Sequence, residues 1–357
     1  MDEISLLNRV RADIPERHPD DVIRGRAALL RSIDAPPAPT PARHPRRRWI
    51  WGGSAVAATC ALTGVFVFGG ALGAPGGADP AAAAVLGSAA AAARTVVDPV
   101  VGPGQYLQVT TDAVYAGMGT TEADSEAARQ RGEDSIKDGD LTAFLERDLR
   151  ALWVPFDRSG EWIEVRCART PVQTFGPRSE AFAAESGILG SDARQAFPGG
   201  KTESGMSVAT LDPETAAALP RDPRQLLAKI YQENGAAGPS RDGEALVWIA
   251  DRLRSGTVSA ELRSVFYDTA ALIPGVTITE QQATLNGRTG TAIGRDETEN
   301  GFRQDIIIDP DTGAFIGERQ VLLRPVADMP AGTATGSSSV TTTVVDAAPE
   351  GTSLCAG

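Results

Sequence analysis

The stretch VTITEQQATLNGRTGTAIGRDETENGFRQDIIIDPDTGAFIGERQVLL, residues 276–323, decides the fold class. Four runs in it, residues 276–285, 289–293, 302–308 and 315–323, are typical of β-strands and are separated by turn signals. Asn286-Gly287 is a strong signal for a two-residue hairpin turn, and the run Asp309-Pro310-Asp311-Thr312-Gly313 marks a longer turn. The stretch therefore predicts an antiparallel meander.

Further strand signals lie on both sides of this stretch. Residues 104–111 predict a first strand, residues 151–156 and 161–167 predict a hairpin, and residues 338–345 predict a last strand. The polar residues 117–140 indicate an insertion with little regular structure. Residues 170–204 have no sustained period and are interpreted as loop.

Helical spacing fills the middle of the chain, and an alanine-rich helix is predicted before the first strand. The predicted helices cover residues 81–94, 213–219, 223–231, 244–254 and 259–272. Strands, then helices, then an antiparallel meander indicate an α+β domain in which helices cover one face of a curved antiparallel sheet.

An uncharged apolar segment precedes this domain. WIWGGSAVAATCALTGVFVFGGAL, Trp49 to Leu72, is long enough as a helix, at roughly 36 Å, to cross a hydrocarbon core of about 30 Å. Arg46, Arg47 and Arg48 stand directly before it, so the positive-inside bias predicts a cytoplasmic N-terminus and an extracytoplasmic C-terminal domain. A cleaved secretory signal and a twin-arginine signal are the alternatives.

The distribution of charge along the chain agrees with this predicted topology. Ten arginines against seven acidic residues give Met1–Arg48 a net charge of +3, which leaves −15 for the rest of a chain whose total is −12. An acidic outer domain argues against nucleic acid as its partner, because phosphate binding requires clustered Lys and Arg.

The tail before the apolar segment predicts two short amphipathic helices. Their apolar residues are candidate partner-docking residues, because two such helices bury little against each other; the alternative is a weakly structured tail. The residues are Ile4, Leu7, Val10, Ile14, Val22, Ile23, Leu29, Leu30 and Ile33.

The predicted organisation has five parts. Residues 1–34 form the cytoplasmic helical tail, 35–48 a Pro/Arg-rich juxtamembrane linker, 49–72 the transmembrane helix, 73–104 a linker with the alanine-rich helix, and 105–357 the extracytoplasmic α+β domain.

Residue types exclude several kinds of catalytic site. His18 and His44 both precede the apolar segment, so the outer domain has no histidine for a catalytic triad or a zinc site. We predict no catalytic residues, no cofactor and no metal, and we expect a protein that is not an enzyme. Asp309-Pro-Asp311 resembles the start of a calcium loop, but its glycine falls one position early, which favours a turn.

Cys167 and Cys355 are the two cysteines of the outer domain. In an oxidising compartment they most simply form a disulfide. Two unpaired thiols and an intermolecular bridge are the alternatives.

Several motifs resemble a family of single-pass actinobacterial membrane proteins whose genes lie beside those for extracytoplasmic-function sigma factors. The resemblance covers nearly the full length. It is carried by Met1-Asp2-Glu3-Ile4, Gly104-Gln105-Tyr106-Leu107-Gln108-Val109, Trp153-Val154-Pro155, Asp157-Arg158-Ser159-Gly160-Glu161-Trp162, Leu219-Pro220-Arg221-Asp222-Pro223, Leu272-Ile273-Pro274-Gly275-Val276 and Ile308-Asp309-Pro310-Asp311-Thr312-Gly313. It implies an outer domain similar to the half-barrel of lipoprotein carriers and sigma-regulator sensors, in which a curved sheet cradles helices.

These observations lead to one expected function and one alternative. We expect a membrane-anchored extracytoplasmic sensor or interaction protein, an accessory or anti-sigma-like regulator whose partners are the bilayer and a cytoplasmic sigma factor. The alternative is a half-barrel that binds a lipid or lipopeptide, an apolar ligand, and has a passive tail.

Overall fold

The computed structural model describes residues 76–132, 140–187, 190–208, 211–234 and 238–356. Within them it is an α+β fold with ten strands in one antiparallel sheet and seven helices. No helix in these ranges is long and apolar enough to cross a membrane. The predicted span at residues 49–72 lies outside them.

The helices are α1 (Pro80–Thr95), α2 (Glu122–Gln130), α3 (Pro177–Ser186), α4 (Pro213–Ala218), α5 (Pro223–Asn234), α6 (Arg241–Leu253) and α7 (Ala260–Ala270). The side chains of Asp79, Asp212, Ser240 and Ser259 cap α1, α4, α6 and α7 by accepting from a backbone N–H of the first turn. The predicted starts of these four helices lie within a few residues of the observed ones.

The strands are β1 (Tyr106–Gly119), β2 (Thr142–Pro155), β3 (Glu161–Arg166), β4 (Thr170–Gln173), β5 (Ala193–Pro198), β6 (Thr277–Leu285), β7 (Arg288–Glu297), β8 (Phe302–Asp309), β9 (Ala314–Leu322) and β10 (Ala334–Val345). Their order across the sheet is β5-β3-β2-β1-β10-β9-β8-β7-β6, and β4 pairs with β2. The predicted meander is therefore confirmed as β6 to β9.

Two segments differ from their prediction. The stretch 170–204 contains β4, α3 and β5, and the polar stretch 117–140 contains the end of β1 and all of α2. Both predictions of irregular structure were wrong because these short elements are held by pairing with β2 and β3 and by caps, and neither leaves a sustained period in the sequence.

One face of the sheet, here called the helix face, carries the main core. Ile293, Ile306 and Ile308 of β7 and β8 pack there against α1, α6 and α7, with Leu246, Ile249 and Phe266 fully buried. The loop after α6 extends the cover, because Gly256 lies against Val109 of β1 and Val340 and Thr342 of β10.

The alanines of α1 allow a close approach between that helix and the β8–β9 turn. Gly313 has φ +67°, and a Cβ added there would lie 2.5 Å from the carbonyl oxygen of Ala89. Tyr267 and Arg263 donate to the Gly313 carbonyl at 3.2 and 3.0 Å. The predicted alanine-rich helix is thus a packed element of the core.

The opposite face, here called the strap face, is covered in two ways. The tip of the β6–β7 hairpin folds across it as far as β10, where Asn286 Nδ2 donates to Ser339 Oγ at 3.2 Å and Arg288 Nη1 to the Val340 carbonyl at 3.1 Å. Since β10 lies three strands from β7, the sheet curls at this end towards the strap face, which is the face opposite the helices.

The second cover is the C-terminal segment, residues 346–356. Ala348, Leu354 and Cys355 pack on Trp153 and Val165, in a cluster that also includes Ile163. Arg194 Nε of β5 donates to the Pro349 carbonyl at 2.8 Å, and Gln105 Nε2 donates to Asp346 at 2.9 Å. This segment fixes the chain end against β2, β3 and β5.

Candidate functional site

Strand β2 places three charged side chains on the helix face, beyond the main helical cover. Glu146, Asp148 and Arg150 alternate along the strand and are called the charged stripe. They share a face with Leu152 and Val154, which pack near Trp162. Successive members stand roughly 7 Å apart, because alternate residues of a strand are two rises apart.

Both carboxylates of the stripe have an oxygen without a partner. Glu146 is 3% exposed, and Arg169 donates to its Oε1, but its Oε2 is buried and accepts no hydrogen bond. Asp148 Oδ1 is also buried and accepts no hydrogen bond. A buried acceptor without a donor is unfavourable, and such groups are few in folded proteins.

Arg150 stands directly opposite another arginine. In the β2–β3 register it pairs with Arg166, which forms an ion pair with Glu164 at 3.3 Å. No hydrogen bond or ion pair joins Arg150 to any residue that the structure describes. Like charges directly opposite each other on neighbouring strands are destabilising, so a negative group between them would relieve the repulsion.

A polar network borders the stripe on its helix side. Asp148 lies in a row with Ala113 of β1, Ser338 of β10 and Glu318 of β9. Arg254 at the end of α6 reaches Glu318 Oε1 at 3.0 Å. Burial raises the pKa of the Glu318 carboxyl, while Arg254 acts in the opposite direction. The row therefore places two strands, β1 and β10, between Asp148 and the Glu318–Arg254 ion pair.

A surface depression lies along β5, on the far side of β3 from the stripe. Its cavity volume is about 830 Å³, and it is lined by Gln195, Ala196, Phe197, Pro198, Lys201, Thr202, Glu203 and Ser204. Gln195 is the diagonal cross-strand neighbour of Arg166, because Arg166 pairs with Ala193. The Arg166 side chain itself is half exposed to solvent. A second depression of about 580 Å³ lies at α2, around Thr120 and Arg129.

The structure brings the two predicted cysteines together. Cys167, after β3, and Cys355 form a disulfide with a Cα–Cα distance of 5.3 Å across 188 residues of sequence. The Asp192 carboxylate lies within 4.8 Å of both sulfur atoms. Since the sulfur atoms are bonded to each other, neither is a thiolate, the form in which cysteine binds metals.

The remaining predicted site residues lie outside the described residues. These are the partner-docking residues of the tail, Ile4 to Ile33, and the topology arginines Arg46, Arg47 and Arg48.

The charged stripe was not predicted from the sequence. The sequence TAFLERDLRALWVP has charged residues at positions 146, 147, 148 and 150. Because of this charged run, the first half of β2 was not predicted to be a strand. The usable signal was the alternation of Glu146, Asp148 and Arg150 with Leu145, Leu149 and Ala151, which only Arg147 interrupts.

Comparison with known proteins adds no assignment: no protein-family model matches the chain, and no curated protein matches it. The stripe itself offers carboxylate acceptors and guanidinium donors. Such groups suit the recognition of charged ligands.

Proposed function

We propose that the chain is a membrane-anchored extracytoplasmic sensor or interaction protein, with a tail that regulates an extracytoplasmic-function sigma factor. The charged stripe supports the sensing half of this proposal, because two of its buried carboxylate oxygens and the Arg150 guanidinium have no partner among the described residues. The apolar segment Trp49–Leu72 and its preceding arginines support the anchored topology.

We also propose that the outer domain is a variant of the half-barrel. The contacts of Asn286 and Arg288 with β10 support a strongly curved sheet. In this variant the curl at the β6 end closes towards the strap face, whereas the resemblance implies a sheet that cradles helices.

The regulatory half is tested by co-purification of the full-length chain with an extracytoplasmic-function sigma factor from the same organism. We expect the full chain to retain the sigma factor, and a chain without residues 1–34 to lose it. Equal recovery with both chains would contradict a docking role of the tail.

The topology is tested with a reporter fused after residue 357. Activity of a reporter that works only outside the cytoplasm supports the anchored arrangement. A reporter active in the cytosol, or a chain recovered in full from the soluble fraction, would overturn it.

A second candidate function is the binding of a lipid or lipopeptide. Val97 and Val100 favour it, since they are 84% and 81% exposed in the loop between α1 and β1, beside Val101, which packs on the sheet. Native mass spectrometry of the purified chain tests this function: a co-purifying amphiphile supports it, and a chain free of amphiphiles counts against it.

A further inference from the structure

We propose that the charged stripe binds a small zwitterion, a molecule that carries both an ammonium group and a carboxylate. Asp148 receives the ammonium group, and Arg150, together with Arg166, receives the carboxylate. This inference rests on the proposed sensing function and specifies the class of its ligand.

Most of the charged side chains around the stripe are paired with each other. Glu146 is paired with Arg169, and Arg166 is paired with Glu164. After these pairs are set aside, Asp148 and Arg150 are left as one carboxylate and one guanidinium without partners among the described residues. They lie on one strand face, roughly 7 Å apart.

Two buried carboxylate oxygens form the acceptor side of the stripe. The buried Oδ1 of Asp148 accepts no hydrogen bond, and the Oε2 of Glu146, on the same face, is also buried and unpartnered. An ammonium group has three N–H donors and no acceptor, so it suits a site whose carboxylates have unused acceptor capacity. A neutral apolar ligand would leave them unsatisfied.

Two arginine side chains form the donor side of the site. Arg150 and Arg166 are directly opposed across β2 and β3. A carboxylate offers two oxygens to guanidinium groups and forms strong, charge-assisted hydrogen bonds with them. A carboxylate between the two arginines would also remove the repulsion between them.

The closeness of Asp148 and Arg150 favours a ligand that carries both charges. A simple anion at Arg150 would stand close to the Asp148 carboxylate, and a simple cation at Asp148 would stand close to Arg150. Each single charge therefore meets one repulsive group, which disfavours it relative to a zwitterion. The partners Arg169 and Glu164 cancel each other's contribution and do not alter this preference.

The test is isothermal titration calorimetry of the full chain with glycylglycine, whose two charges are separated by a short extended backbone. Acetate and methylammonium are the single-charge comparisons. We expect one glycylglycine site per chain, and binding of acetate and methylammonium weaker by at least roughly tenfold, as expected when a charge-assisted hydrogen bond is lost.

Two variants identify the residues. Arg150→Gln and Asp148→Asn should each weaken glycylglycine binding by roughly 10- to 100-fold. Arg147→Gln is the matched control, because Arg147 is on the same strand but on the strap face, where it pairs with Asp112. It should bind like the parent chain, and circular dichroism checks the folding of all three variants.

Three results would overturn the proposal. They are no binding of glycylglycine, acetate binding as tight as glycylglycine binding with no effect of Asp148→Asn, and equal loss of binding in Arg147→Gln. Sigma-factor co-purification is measured without the ligand, so a failure of this inference is distinguishable from a failure of the proposed regulatory function.

Discussion

Asp305 of β8 is a fully buried carboxylate on the strap face. Arg303 Nε, Arg319 Nε and Thr279 Oγ1 donate to it at 2.9, 2.8 and 2.9 Å. Gly294 on β7 provides the space, because a Cβ there would lie 2.0 Å from Asp305 Oδ1. The hydrogen bonds of one carboxylate thus join β6, β8 and β9.

We predict that Asp305→Ala lowers the free energy of unfolding by about 3–5 kcal/mol, since it leaves two partly buried arginines without their partner. Urea denaturation followed by tryptophan fluorescence measures this loss. Asp112→Ala is the control for an arginine pair that is more exposed, and it should cost about 1 kcal/mol or less. Equal losses in the two variants would contradict a structural role for the Asp305 network.

Asp212 caps α4, and its carboxylate is sensitive to pH. The hydroxyl and the backbone N–H of Thr215 donate to it at 2.6 and 2.9 Å and lower the pKa of its carboxyl. A lowered folded-state pKa means that the stabilisation is complete above the unfolded value of about 3.9 and is lost as the pH falls through the lower folded value.

We therefore predict that Asp212→Ala costs about 1 kcal/mol at pH 7 and less below pH 3.9 or so. Thermal unfolding at both pH values measures the difference. Asp212→Ser retains a capping oxygen and should show a smaller loss with no such pH dependence; a loss in Asp212→Ala that is independent of pH would be the contrary result.

The helices at 213–219 and 259–272 were predicted because their signals are local in the sequence. Asp212 and Ser259 stand next to the helices that they cap, so a short window of sequence contains the whole interaction. Asp148 and Arg150 depend on the register of β2 with β1 and β3, and Arg166 is 16 positions from Arg150 along the chain. A single sequence without aligned relatives cannot supply that register.

At the scale of elements, the β6–β7 hairpin shows what a turn signal can predict. Asn286 and Gly287 have φ angles of 47° and 74°, the pattern of a type I′ turn. The dipeptide identified the turn, but it gave no indication that the tip folds over to β10. That contact depends on the irregular register of β6 and on Gly317, which leaves space for Leu285.

We predict opposite effects for the same substitution at two glycines without close neighbours. Gly287→Ala should destabilise the domain by about 1–2 kcal/mol, because alanine is strained at positive φ. Gly87→Ala, inside α1, should stabilise it by about 0.5–1 kcal/mol, because alanine is the better helix former. Chemical denaturation of both variants measures these changes, and a loss at both positions would contradict the backbone argument.

At the scale of the whole molecule, the disulfide connects two segments that are far apart in the sequence. It joins Cys167, next to β3, to Cys355 in the C-terminal segment that lies on Trp153 and Val165. The cysteine count predicted this pair from composition and compartment alone, with the alternatives open. The α+β class followed from periodicity, whereas the strand order β1-β10-β9 joins distant parts of the sequence and could not be predicted from it.

We predict that Cys355→Ser lowers the free energy of unfolding by about 2–4 kcal/mol, because the unfolded chain loses a covalent constraint. Calorimetry measures the change. The parent chain treated with a dithiol reductant should show the same loss, and the reductant should have no effect on the variant. A reductant effect on the variant would assign the loss to another cause.

The disulfide also closes a long covalent ring. Because Cys167 and Cys355 are bonded across 188 residues of sequence, a single proteolytic cut in a loop between them would leave both pieces of the chain connected. A nicked domain would therefore separate into fragments only after thiol exchange had opened the ring.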